Sequence, residues 1–203
     1  MVNNKMLDLL KGEEKPYASS DSVGVIDMDS NFNEALYTPE FLNSIKIPGL
    51  PNHNLRLRIG APVMCMRNID QRAGLCNGTR LQVQRMGVNV IEAKIIAGGN
   101  LGNLCAIPRM VLSPSDNKMP FKFNRRQFPL ALCFAMTINK SQGQTLRNVC
   151  LFLQRPVFSH GQLYVAVSRV KSKKGLKILC CDEDGNYAKS TKNVVYKEAL
   201  FRI

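Results

Sequence analysis

Between Leu55 and Leu112, apolar residues recur at alternate positions in short runs, and each run stops at Gly, Asn or Pro. A chain punctuated this way cannot sustain helices; it pleats into short strands joined by tight turns. Leu55-Arg56-Leu57-Arg58-Ile59 alternates apolar and basic residues, as a half-buried strand does. Gly60-Ala61-Pro62 interrupts it, and Val63 to Met66 resumes. Asn77-Gly78, within Gly74 to Arg80, is a hairpin signal, with Leu81 to Gln84 as the return strand. Gly87 opens a run from Val88 to Ala97, Gly98-Gly99-Asn100 closes it, and Cys105 to Leu112 ends at Ser113-Pro114-Ser115-Asp116-Asn117. The expectation for this middle stretch is a small antiparallel barrel.

The flanks read differently. Met6, Leu9 and Leu10 are spaced for one face of an opening helix that Gly12 stops. Val23 to Ile26 is a short strand, Phe32 to Leu42 a loop and then a helix begun by Pro39, and Pro48-Gly49-Leu50-Pro51 a connector. After Arg125-Arg126-Gln127 the pattern becomes α/β. Leu130 to Thr137 is nearly all apolar, as in a strand buried on both faces, and Val149 to Leu153 is a second such run. Ser159 is placed to cap a helix carrying Leu163, Ala166, Val167 and Val170 on one face, with Lys171 to Lys174 and Gly175 closing it. Leu176 to Cys181 is a last buried strand, so a parallel sheet is expected.

The 28 Lys and Arg against 15 Asp and Glu leave a formal charge of +13. That excess favours a polyanionic partner through counterion release, although basic ribosomal and membrane-surface proteins share it. Seven Cys without a Cys-x-x-Cys, and only His53 and His160 as imidazoles, favour neither a disulfide framework nor a zinc or other metal site. A reducing compartment, cytosol or nucleus, is the expectation. The amino terminus shows no signal-like apolar core, and no run approaches the roughly 18 apolar residues of a membrane span.

Chemistry concentrates in two segments, Thr137-Ile138-Asn139-Lys140-Ser141-Gln142-Gly143-Gln144-Thr145 and Gly161-Gln162-Leu163-Tyr164-Val165-Ala166-Val167-Ser168-Arg169. A strand that empties into a Lys-Ser-Gln-Gly turn offers backbone donors and a cation to a phosphate. A helix ending in Arg presents a guanidinium to a second one. Each has a plainer reading: a helix cap with a solvated lysine, and a cation complementing a helix dipole. No Gly is followed by Lys, so a Walker A loop is lacking. Asp182-Glu183 imitates a Walker B pair, but without a phosphate loop to serve it reads as a solvated turn, and Glu198 is misplaced for a calcium loop. This chain alone is not an evident enzyme.

In order and spacing the two segments resemble helicase motifs V and VI of the petite integration frequency (PIF-type) DNA helicases of superfamily one, which include the plant Helitron transposon helicases. Leu57 to Met64, Arg67-Asn68-Ile69-Asp70 and Gly74 to Leu81 resemble the segment that enters that family's SH3-like insertion. The resemblance runs from about Asn4 to Phe201. It implies an α/β fold: a second RecA-like motor domain formed by residues 1–52 and 129–203, interrupted by an SH3-like β-barrel over 53–128. It implies that Arg169 is an arginine finger, that Gln142, Gly143, Gln162 and Tyr164 line or support the nucleotide cleft, and that Thr137, Asn139, Lys140 and Ser141 hold single-stranded DNA, with Arg56 and Arg58 guiding the strand. Arg56 and Arg58 read equally well as solvated strand faces. Asn139 stands where many members carry His. ATP and Mg2+ are expected only in a complete motor, whose first RecA-like domain would be supplied in cis or trans. The chain thus resembles the C-terminal half of an ATP-dependent DNA helicase, nuclear by analogy, moving five-prime to three-prime in genome maintenance or transposition. A non-hydrolysing single-stranded nucleic-acid-binding module is the alternative.

Overall fold

A computed structural model describes residues 2–24, 37–114, 119, 121–182, 184–196 and 198. They form two compact units, Met1–Ala135 and Met136–Ile203. Ile26, Phe32, residues 115–117, Glu183 and Phe201, which figure in the sequence expectations, lie outside the described residues.

In chain order the first unit contains α1 (Val2–Asp8), β1 (Glu14–Ala18), β2 (Ser20–Gly24), α2 (Pro39–Ser44), β3 (Asn54–Arg58), β4 (Pro62–Cys65), β5 (Arg80–Met86), β6 (Val90–Ile95), β7 (Leu104–Pro108), β8 (Met110–Leu112), β9 (Lys122–Gln127) and β10 (Leu130–Leu132). Strands β10-β4-β5-β6-β7 form an antiparallel sheet, β1 pairs with β3, and β2-β9-β8 form a third sheet. Alternation decides which face is buried: on β6, Ile91, Ala93 and Ile95 are buried while Val90, Glu92 and Lys94 face solvent. Those residues join Leu55, Leu57, Val63, Leu81, Val83, Ile107, Phe128 and Leu130 in one core, each large side chain contributing about 1.5–3 kcal/mol on burial. The Asn77-Gly78 expectation holds. Gly78 has φ 89° and its amide donates to the Cys65 carbonyl at 2.8 Å, bringing β5 back beside β4.

Four expectations are corrected. The barrel does not close among the described residues: β7 and β10 are the two edges of the five-stranded sheet. The run from Cys105 to Leu112 is two strands in two sheets, because it breaks between Pro108, which has no N–H to continue the ladder, and Met110, which pairs with Gln127. Leu130 to Thr137 is not a strand of a parallel sheet. Only Leu130–Leu132 is extended, and it runs antiparallel to β4. Beyond it the Asn3 side chain takes over: its amide donates to the Leu132 and Ala135 carbonyls at 3.1 and 3.0 Å, and its oxygen accepts from the Ala135 amide at 2.7 Å. Helix α1 buries Leu7, with Asn3 half-buried on it and Leu10 packed against the core just past its end, while Met6 and Leu9 of the expected face are exposed. Helix α2 does begin at Pro39, with Thr38 as its cap accepting from the Phe41 amide at 3.3 Å.

The second unit opens with a 3-10 turn (Asn139–Ser141), followed by β11 (Val149–Leu153), α3 (Gln162–Val167), a second 3-10 turn (Lys173–Gly175), β12 (Leu176–Cys181) and β13 (Tyr187–Ala188). Strands β11 and β12 are parallel and β13 is antiparallel to β12, so among the described residues β11 and β12 are the one parallel strand pair. Leu151, Leu153, Val157, Ala166 and Cys180 make its core, with Ile138, Leu163 and Val167 against it. Helix α3 is capped by Gly161 at φ 74°, not by Ser159. It ends at Val167, so Val170 is free to form a parallel bridge with Leu146. The Asp182 turn is a hairpin in which the Asp182 carboxylate accepts from the Asn186 amide at 2.8 Å. All seven Cys are free thiols; Cys150 is exposed, while Cys133, Cys180 and Cys181 are buried.

Candidate functional site

The Lys-Ser-Gln-Gly segment is folded by its own short side chains. Ser141 Oγ donates to the Ile138 carbonyl at 2.6 Å and its amide to the same oxygen at 3.0 Å, while the Lys140 amide donates to Thr137 Oγ1 at 3.4 Å. Ser and Thr make such local bonds readily, which tightens one turn without continuing a helix. Gly143 follows at φ 76°, a left-handed conformation that a residue with a Cβ rarely adopts. Ser141 is buried, and Thr137, Asn139, Lys140, Gln142 and Gly143 face solvent.

Arg169 meets this turn from the end of α3. Its Nη1 donates to the Gln144 carbonyl at 3.1 Å and to that of Ser141 at 3.5 Å, its Nε to Val165 at 2.7 Å, and its Nη2 to Ser168 Oγ at 2.9 Å. The Leu146 amide completes the clasp by donating to the Arg169 carbonyl at 2.8 Å. Only a planar five-donor fork can hold a helix end and a turn together in this way. Elsewhere on α3, Gln162 Oε1 accepts from the Phe158 amide at 3.1 Å, and Tyr164 projects into solvent, 73% exposed. Thus the structure brings together Thr137, Lys140, Ser141, Gln144 and Arg169. Gln144 and Ser168 carry no expected role from sequence, although both lie inside the two chemistry-bearing segments.

Arg56 and Arg58 lie in the other unit, on β3, and both are bound to carboxylates or carbonyls. Arg56 pairs with Glu14 at 2.6 Å and with Asp8 at 2.5 Å, and Arg58 pairs with Glu14 at 3.3 Å and donates to the Leu10 carbonyl. The Arg56 guanidinium holds the Glu14 carboxyl below its ordinary 4.5, with a smaller opposing effect from burial. Their alternation with Leu55 and Leu57 is thus accounted for by pairing across β1 and α1. Among the described residues no group of three or more His, Cys, Asp or Glu is placed to hold a metal ion, and no helix is long and apolar enough to cross a membrane.

Residues 40–86 match the family of the DNA helicase Pif1, 2B domain. The chain is 34% identical to the human ATP-dependent DNA helicase PIF1 over 158 residues, which is 76% of this chain and 23% of that protein. Its fold matches the crystal structure of Bacteroides Pif1 bound to ssDNA with a TM-score of 0.66 at 25% identity, covering 98% of this chain and 41% of that one. It matches Pif1 helicases solved for DNA unwinding at forked dsDNA with a TM-score of 0.67 at 26% identity, over 98% of this chain and 39% of that one. The fold is therefore an α/β fold of the kind seen in these helicases. The chain belongs to the Pif1 DNA helicase family, and it spans about a quarter of the length of the curated relatives it matches.

Proposed function

We propose that this chain is the C-terminal part of an ATP-dependent DNA helicase that couples ATP hydrolysis to movement along single-stranded DNA and duplex unwinding. In this reading residues 1–52 and 129–203 make the second RecA-like motor domain, and 53–128 an SH3-like insertion. The single observation that carries it is the clasp between Arg169 and the Ser141–Gln144 turn, since a motor must join its nucleotide edge to its DNA track. Lys140, Asn139 and Thr137 face solvent on the turn and hold strand phosphates, with Ser141 fixing their backbone. Gln142, Gly143, Gln162 and Tyr164 form the polar edge of the nucleotide cleft, and Arg169 supplies the guanidinium finger.

This chain offers a cation and no phosphate loop, so ATP and Mg2+ belong to the complete motor, whose first RecA-like domain comes from the rest of the polypeptide or from a partner. A nuclear location is part of this reading. One observation favours the second reading, a non-hydrolysing single-stranded nucleic-acid-binding module: the Arg169 donors already serve carbonyls within the unit. Steady-state ATP turnover tests the proposal. The chain alone is expected to stay at background with or without single-stranded DNA. Turnover that vanishes in Arg169→Ala would overturn the assignment of a half-motor.

A further inference from the structure

The first unit holds a basic cleft, of 240 Å3, lined by Ser20, Val88, Asn89, Arg109 and Arg126. Three chain segments meet there. The turn between β5 and β6 supplies Val88 and Asn89. The break between β7 and β8 supplies Arg109, whose amide donates to the Asn89 carbonyl at 3.4 Å. The β2–β9 pair supplies Ser20 and Arg126, which are direct cross-strand partners. Strand alternation explains their exposure: the neighbouring pair Asp21 and Arg125 points inward, so Ser20 and Arg126 point out.

Arg109 is held in place before any ligand arrives. Its guanidinium lies 4.9 Å from the Phe128 ring centre and 5.6 Å from that of Tyr17, and its Nη1 donates to the Ala18 carbonyl at 2.7 Å. Tyr17 is itself fixed by donating to the Gly87 carbonyl at 2.7 Å. Arg126 is exposed and makes no ion pair among the described residues. No carboxylate lines the cleft, and the adjacent acid, Asp21, is consumed by Arg125. Two guanidiniums, a hydroxyl and an amide side chain around an open cleft with no acid are the donor set of a phosphodiester site.

We propose that Arg109, Arg126, Ser20 and Asn89 form a phosphate-binding cleft for single-stranded DNA on the β unit, separate from the Lys140 turn. The inference rests on the DNA-binding reading above, but not on the residues that carry it. A fixed Arg109 supplies register, and the solvent-facing Arg126 closes on the phosphate.

The test is filter binding of a single-stranded oligonucleotide to the full chain across a salt series. Removing one cation that neutralises a phosphate is expected to flatten the slope of log K against log salt by about 0.7. Arg126→Gln should remove one such step and Arg109→Gln/Arg126→Gln together about two, about 1.4 in slope. Arg126 is exposed, so its single variant should keep the urea midpoint of the parent. Lys94→Gln, on the solvent face of β6 and four residues from Val90, should leave the slope unchanged. Unchanged slopes for the arginine variants, alongside a lowered one for Lys140→Ala, would overturn the cleft and leave the DNA reading intact. Equal losses for Lys94→Gln and Arg126→Gln would reduce it to bulk charge. A flat response of the unaltered chain would overturn both.

Discussion

Replacing either member of the Asp21–Arg125 pair should strongly destabilise the first unit. Both side chains are 1% exposed. The five N–H groups of Arg125 are all used: Nε donates to Asp21 at 2.9 Å, Nη2 to Asp21 at 2.6 Å and to the Leu42 carbonyl at 3.2 Å, and Nη1 to the Ile45 and Pro51 carbonyls at 3.2 and 3.1 Å. The guanidinium thus pairs one charge and also pins α2 and its following loop to β9. Asp21→Leu leaves a buried unpaired cation, which costs about 3–5 kcal/mol. Arg125→Met leaves a buried carboxylate and, in addition, the Ile45 and Pro51 carbonyls without a donor, at about 1 kcal/mol or more each, while the Leu42 carbonyl keeps the Ile45 amide at 3.2 Å. Its total of about 5–7 kcal/mol approaches the whole stability of a typical domain, about 5–15 kcal/mol. The double variant removes both charges and keeps only the carbonyl penalty, so it should cost about 2 kcal/mol, less than Arg125→Met alone. Urea titration followed by far-UV circular dichroism measures all three. Additive costs, or an Arg125→Met loss below about 1 kcal/mol, would refute the reasoning.

Three further outcomes follow from particular contacts. Glu14 has its carboxyl held down by Arg56, so it stabilises the fold above its ordinary 4.5 and loses that contribution as pH falls through its lowered folded value. Glu14→Gln should therefore lower stability at neutral pH and shrink the loss on acidification, read from urea midpoints across a pH series. Arg169→Lys keeps charge but not the fork, so hydrogen exchange at the Gln144 and Leu146 amides should speed up by about tenfold or more, the equivalent of one or two charge-assisted bonds; unchanged exchange would mean the clasp does not hold the turn. A Cβ on Gly175 would collide with the Arg147 carbonyl oxygen, so Gly175→Ala should cost about 1–3 kcal/mol in thermal or urea unfolding, and a neutral result would place the second 3-10 turn elsewhere.

What the sequence made legible follows from local rules. Period-two alternation located β3, β4 and β5, and Asn77-Gly78 placed the turn that joins two of them, because side-chain period and turn chemistry act over a few residues. The apolar runs of β11 and β12 were likewise plain, as were both segments that meet at Arg169. Partnership was not. Leu130 to Thr137 looked like a doubly buried strand because an apolar run carries no record of its neighbours, and the residue that truncates it, Asn3, lies 132 positions from Ala135. Arg125 and Asp21 are separated by 104 residues, so the triplet Arg125-Arg126-Gln127 read as a boundary although it is a strand with two buried polar side chains. Strand β1 was hidden by Pro16, which is tolerated only because β1 is an edge strand. At the site, the residue types were visible while the clasp was not, since it runs through backbone carbonyls that any residue could provide.

The most direct test of the DNA-binding claim at the Lys140 turn is the affinity of the chain for a fluorescently labelled single-stranded oligonucleotide, measured by anisotropy from about 50 to 200 mM salt. The account predicts binding that weakens linearly on a log–log plot and a Lys140→Ala variant whose slope is shallower by about 0.7. A salt-independent signal, or a Lys140→Ala variant indistinguishable from the parent at every salt concentration, would contradict it.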